Sequence, residues 1–169
     1  VVGGSLGART INDSMAVSLD AITSTGASVL WQTGKLYADE CCAKAQGYPT
    51  VKAQPFISNM GVAYRAADIV VSRAGASTIS ELQLLGMPAI LVPSPNVAED
   101  HQRKNAQALV DKDAAVMILD AECKDKLAQE VTSLLNDEEK RSRMSANVLK
   151  MALRDADEKI VDTIYNILK

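Results

Sequence analysis

An α/β fold built on a doubly wound parallel sheet is what this 169-residue sequence predicts. Three observations carry that reading. Short apolar runs alternate along the chain with longer segments of helical apolar spacing, as strand–helix–strand units require. Glycine and proline punctuate the ends of these segments where a helix or strand has to stop. Aromatic residues make up only 4 % of the chain, so the core has to come from Ala, Val, Leu, Ile and Met, as in many sheets buried on both faces.

Val1-Val2 reads as the end of a strand. Residues 8–20 carry Ile11, Met15, Val17 and Leu19 between polar residues, with Ile22 just beyond, and read as a helix. Residues 27–33 form a strand stopped by Gly34; 37–46 a helix ended by Gly47; 49–53 a short strand; 59–66 a short helix before the strand 68–72. Residues 77–85 are a helix closed by Gly86, with Pro88 beyond it, and 89–92 a strand ended by Pro93-Ser94-Pro95-Asn96. A helix at 101–111, a strand at 115–118 and helices near 122–135, 138–152 and 155–168 complete the chain. No repeat, low-complexity tract or linker interrupts the pattern, so residues 1–169 read as one domain. Right-handed crossovers then place a ligand at the carboxyl ends of the strands.

Composition narrows the function. A chain of this length buries about 70 % of its unfolded surface. Eighteen Lys and Arg against 21 Asp and Glu give a net charge of −3, which argues against nucleic acid as a partner. One His, and three Cys with no C-x-x-C spacing, make a zinc site unexpected; free thiols in a reducing compartment are expected instead. No apolar run approaches the ~20 residues of a membrane span, and no signal peptide is visible. The opening on Val1-Val2-Gly3-Gly4 without an initiator Met leads us to expect an excised domain with an N-terminal part elsewhere.

Four predicted strand ends carry unusual residues. The first is Gly3-Gly4-Ser5-Leu6-Gly7-Ala8-Arg9. Glycines there allow a tight turn and close approach to a phosphate, and Ser5 adds a hydroxyl; a plain βα turn reads equally well. The spacing is not G-x-G-x-x-G, no P-loop Lys follows, and the second strand ends on Gln32-Thr33-Gly34 instead of an acid, so a dinucleotide cofactor is not expected. The second is Gln54-Pro55-Phe56-Ile57, an extended loop that could offer backbone groups to a base edge, or whose apolar pair could simply close the core.

The third is Ser72-Arg73-Ala74-Gly75-Ala76-Ser77-Thr78-Ile79-Ser80-Glu81, a strand breaking on small residues into a helix start. Unpaired N–H groups there suit an anion, and Glu81 one turn further suits a ribose diol. A capping box from Thr78 to Glu81 explains the same residues equally well. Arg73 either balances Glu81 or faces a partner domain. The fourth is the polar stretch 96–105, in which Gln102 suits sugar hydroxyls and His101 is a weaker candidate for a catalytic role.

Taken together, these four segments resemble the C-terminal, donor-binding half of the MurG family of glycosyltransferases. The resemblance also rests on Met60 and Ala63-Tyr64, on Ala67-Asp68-Ile69-Val70-Val71 ahead of the third segment, on Gly86-Met87-Pro88-Ala89-Ile90-Leu91-Val92-Pro93, and on Asn105-Ala106. It weakens after about residue 120, and His101 stands where many relatives have a second Gln. It implies a Rossmann-like domain of a GT-B enzyme that moves GlcNAc from UDP-GlcNAc onto lipid I, making lipid II for peptidoglycan synthesis. Ser5 would contact phosphate, Ile57 would pair with uracil through its backbone, and Ala76, Ser77, Thr78, Ile79, Ser80 and Glu81 would form the diphosphate-and-ribose loop. Gln102 would hold the sugar, and Gly4 and Gly75 would line the phosphate site. No tightly bound cofactor or metal is implied. The general base and the lipid I surface would lie in the other half, so this chain alone would be soluble and inactive. The whole enzyme would sit peripherally on the cytoplasmic face of the bacterial inner membrane. Other UDP-sugar enzymes of GT-B type and a non-enzymatic nucleotide-binding module are the alternatives.

Overall fold

A computed structural model describes residues 1–168; Lys169, the last residue of the span read as one domain, lies outside the described residues. Among the described residues five short strands are present: β1 (Val29–Gln32), β2 (Val51–Gln54), β3 (Val70–Ser72), β4 (Ala89–Leu91) and β5 (Val116–Met117). Eight α-helices surround them: α1 (Arg9–Thr23), α2 (Ala38–Ala45), α3 (Met60–Arg65), α4 (Ala76–Leu85), α5 (His101–Val110), α6 (Cys123–Asn136), α7 (Glu138–Lys150) and α8 (Ala156–Ile167).

All strand pairs are parallel. Val29 opposes Val51, Val70 opposes Ala89, and Ile90 opposes Val116. Val2 joins the two halves of the sheet, bridging to Gln32 on one side and Ser72 on the other. The order is therefore β2, β1, Val2, β3, β4, β5. The chain winds outward from Val2 in one direction, returns, and winds outward in the other, so Val2 marks the switch point of a doubly wound sheet.

Alternate residues of the strands feed two cores, because successive side chains point to opposite faces. Val71, Ile90 and Val92 pack with Trp31 and the apolar stripes of α1 and α6. Val70, Ala89 and Leu91 pack with Leu82 of α4, Leu109 of α5 and Val148 of α7. The first core holds one buried polar tie near the carboxyl end of β1. The Trp31 indole N–H donates to Asn12 Oδ1 (2.9 Å), and Asn12 Nδ2 donates to the Thr33 carbonyl (2.8 Å). Both polar ends of Asn12 are satisfied, which fixes α1 against the loop that follows β1.

The predicted elements form, with shifts at their ends. The helix expected from residue 77 begins at Ala76, and the strand 115–118 contracts to Val116–Met117. The last helix forms as α8 but buries none of its residues; Ile160, Ile164 and Ile167 are exposed along it.

Candidate functional site

Four loops meet at the carboxyl edge around Val2, and each is shaped by the residues that follow its strand. Residues 3–7 turn with Gly4 and Gly7 in the left-handed region (φ 87° and 85°). Gly7 lies against the loop after β1: a Cβ on it would stand 2.2 Å from the Thr33 carbonyl oxygen, and one on Gly34 2.1 Å from the Gly7 nitrogen. Only glycine permits this back-to-back approach with positive φ on both sides. Around Gly4, by contrast, the space beside the backbone is open. Ser5 is exposed at the tip of the turn. Just beyond, α1 starts at Arg9 without a side-chain cap, and the Arg9 guanidinium stands 5.9 Å from the centre of the Tyr37 ring.

The loop after β2 divides its two apolar residues. Ile57 is buried, whereas Phe56 is 60 % exposed on the rim, so only one of the pair closes the interior. The Ile57 N–H donates to Gln32 Oε1 (2.8 Å), and Gln32 Nε2 donates to the Gly4 carbonyl (3.1 Å). One buried amide at the end of β1 thus ties the first loop to the second.

After β3, Gly75 is the N-cap of α4 in an extended conformation (φ −68°, ψ 150°) and offers no capping side chain. The first amides of α4 have no partner inside the helix and form the positive end of its dipole. Because α4 begins at Ala76, Thr78 is already inside its first turn, so the box from Thr78 to Glu81 does not cap this helix. Glu81 instead accepts a hydrogen bond from the Tyr64 hydroxyl (3.1 Å). Burial and the neighbouring Glu81 carboxylate push the Tyr64 phenol well above its usual range, keeping it a donor. Ala76, Ser77, Ser80 and Glu81 are exposed, Thr78 is half-buried, and the Ile79 side chain is buried in the core. Ile79 can therefore meet a ligand only through its backbone.

Gln102, in the first turn of α5, accepts from the Ser94 N–H (3.0 Å) and the Ala74 N–H (3.3 Å) with the same Oε1, and Asn105 Nδ2 donates to the Ala74 carbonyl (3.2 Å). These contacts join the loops after β3 and β4. His101 is exposed as the first residue of α5. Arg73 neither balances Glu81 nor points outward. Its guanidinium pairs with the Asp120 carboxylate and donates to the carbonyls of Val92 (3.1 Å) and Pro93 (3.3 Å). Asp120 also accepts from Thr10 Oγ1 (2.8 Å).

The structure thus brings Gly4, Ser5, Ile57, Gly75, the start of α4 and Gln102 to one edge of the sheet. Gln32, Tyr64, Asn105 and Asp120 hold that edge together; the sequence marks Gln32 only as a strand end without an acid, Tyr64 and Asn105 only as part of the resemblance, and Asp120 not at all. A signal existed for Gln32 alone: a polar amide closing an apolar strand. The other three act across 17, 31 and 47 residues of sequence, separations that local pattern does not reveal.

A cavity of about 680 Å³ lies elsewhere, between β1 and β3, lined by Ser28, Leu30, Ile69 and Val71 among others. Its walls include Ile57 and Tyr64 but not Gly4, Ser5, Gly75, Ala76 or Gln102. It is mainly apolar and lacks the paired helix starts of the loop edge. Among the described residues no helix is long and apolar enough to cross a membrane.

Comparison with known proteins adds a family. A sequence profile of the glycosyltransferase family 28 C-terminal domain matches residues 1–160. The UDP-N-acetylglucosamine--N-acetylmuramyl-(pentapeptide) pyrophosphoryl-undecaprenol N-acetylglucosamine transferase of Parabacteroides distasonis is 49 % identical over 170 residues, covering 99 % of this chain and 46 % of that protein. The protein of the same name from Cytophaga hutchinsonii is 48 % identical over 168 residues, covering 99 % and 45 %. The chain spans about half the length of these curated relatives. Among solved structures, that of Acinetobacter baumannii MurG superposes with a TM-score of 0.85 at 29 % identity, covering 98 % of this chain and 50 % of that one. The glycotransferase of kitacinnamycin shares the fold, with a TM-score of 0.62 at 22 % identity over 88 % of this chain and 37 % of that one.

Proposed function

Because the chain belongs to the glycosyltransferase family 28 C-terminal domains and corresponds to the C-terminal domain of MurG, we propose that it is the donor-binding half of an inverting transferase. The reaction is movement of GlcNAc from UDP-GlcNAc to lipid I, forming lipid II. The observation that carries this reading is the meeting of two uncapped helix starts, α1 and α4, at the switch point of the sheet, with Glu81 exposed one turn into α4.

In this proposal the diphosphate lies over the open space beside Gly4, with Ser5 and the first amides of α4 donating to its oxygens. Glu81, oriented by Tyr64, accepts from the ribose hydroxyls. The Ile57 backbone reads the uracil edge, its carbonyl taking the base N–H while its own N–H is shared with Gln32. Gln102 uses Oε1 on two backbone amides, and its NH2 would be the donor for a sugar hydroxyl. Attack by the acceptor hydroxyl on the anomeric carbon breaks the bond to the β-phosphate, and negative charge collects on the departing UDP. Fixed amide donors at the helix starts stabilise that charge in the transition state. In the same proposal the general base, the lipid I surface and most of the peripheral attachment to the cytoplasmic face of the membrane belong to the remaining part of the longer protein.

Calorimetry with a panel of UDP-sugars tests this reading. We expect UDP-GlcNAc to bind more tightly than UDP-glucose and UDP-galactose, and the Gln102→Ala variant to lose that preference while still binding UDP. Equal affinity for all three sugars in the parent chain would favour another UDP-sugar enzyme. Binding without preference for uridine would favour a generic nucleotide module.

A further inference from the structure

We propose that Gln32 is a positioning residue that holds the base loop and the phosphate loop in register for a single uridine diphosphate; this rests on the donor-site reading above. Gln32 is 2 % exposed and ends β1, in the middle of the sheet edge. Its two polar atoms each serve a different loop: Oε1 accepts from the Ile57 N–H, and Nε2 donates to the Gly4 carbonyl. The partners dictate the orientation of the amide, since a backbone N–H can only donate and a carbonyl can only accept. No other natural side chain of this length supplies a neutral donor and acceptor together.

The two loops need such a strap. Gly4 sits at φ 87° with open space on its outer side, and the turn it starts is held by one internal bond, from the Gly7 N–H to the Gly4 carbonyl (3.2 Å). The base loop is fixed to the end of β1 through the Gly34 N–H and the Pro55 carbonyl (3.1 Å), but no backbone bond links it directly to residues 3–7. A base and a diphosphate are joined through one ribose, so the separation of their two loops must stay within what that link can span for both ends to bind at once. Beside the backbone packing of Thr33 and Gly34 on Gly7, Gln32 is the side chain that hydrogen-bonds both loops.

Two substitutions separate the two bonds. Gln32→Glu keeps an acceptor for Ile57 and loses the donor to Gly4, placing a carboxylate beside the phosphate loop. Gln32→Met keeps the length and loses both. The first measurement is amide hydrogen exchange of the intact chain without ligand. Ile57 should exchange at least about ten-fold faster in Gln32→Met and stay protected in Gln32→Glu, while the amides of residues 5–7 should exchange faster in both. Thermal unfolding of both variants checks that they remain folded.

The second measurement is calorimetry with uridine, inorganic pyrophosphate and UDP. Gln32→Glu should weaken pyrophosphate and UDP at least about ten-fold and uridine less than about two-fold. Gln32→Met should weaken UDP by more than the product of its separate losses for uridine and pyrophosphate. Unchanged Ile57 exchange in Gln32→Met, or equal losses for all three ligands in both variants, would overturn the proposal. If the exchange pattern appears but the parent chain binds none of the three ligands, the donor-site reading fails and the strap stands as a link between the two loops.

Discussion

Glu81 illustrates how one residue acquires two explanations from sequence, of which the structure removes the capping box. Four residues of local pattern support a capping box, but the helix starts two residues before Thr78 and leaves Glu81 exposed with Tyr64 as its partner. A hydrogen bond to a charged group contributes about 1.5–3 kcal/mol. We therefore predict that Glu81→Ala weakens UDP roughly ten- to a hundredfold in calorimetry while changing dUDP little. Tyr64→Phe should cost only a few-fold, because it releases Glu81 without removing it. Equal losses for UDP and dUDP in Glu81→Ala would remove Glu81 from the ribose site. At this scale the donor and acceptor types were legible, and their partners were not. A tyrosine 17 residues upstream meets Glu81 only because α3 and α4 flank the same strand. The cysteines add a pH effect. Burial pushes the Cys41 thiol up to about 11, from 9.0. The folded state holds that proton more tightly than the unfolded one, so stability from Cys41 is intact below pH 9 and declines toward pH 11. Thermal melts across that range should show the decline, and Cys41→Ser should reduce it.

At the scale of elements, the strands and helices were legible because their apolar runs are punctuated by glycine and proline, as at Gly34, Gly86 and Pro93. Their ends were less so. The sequence marks Thr78 as a helix start by hydrogen-bonding pattern, whereas the backbone has already turned helical after Gly75, whose extended conformation permits the change of direction. The loop joins depend on backbone proximity that glycine alone allows. Gly7→Ala would force a Cβ against the Thr33 carbonyl at positive φ, and we expect destabilisation of about 2–4 kcal/mol, read by denaturant unfolding. Gly4→Ala meets no neighbour, so only the φ strain of about 1 kcal/mol should appear. Asn12→Ala leaves the Trp31 indole N–H buried without its acceptor and should cost about 1–3 kcal/mol. If Gly7→Ala unfolds no more easily than Gly4→Ala, the packing of the first loop on the second is wrong.

The whole molecule was legible as a class but not as an order. Alternation gave a doubly wound sheet; nothing local says that Val2 lies between β1 and β3, because strand order is a property of packing between distant segments. That central position brings the four loops to one edge of the sheet. The chain spans about half of its curated relatives, and we propose that acceptor binding and the general base lie in the rest. We predict that the isolated chain transfers no sugar to lipid I, with radiolabelled UDP-GlcNAc as the readout. The central claim is that a uridine nucleotide binds at the loop edge, and amide chemical-shift mapping with UDP tests it most directly. The largest shifts should fall on Gly4, Ser5, Ile57, residues 75–81 and Gln102. Shifts gathered instead on Ser28, Leu30, Ile69 and Val71, around the apolar cavity between β1 and β3, would contradict it.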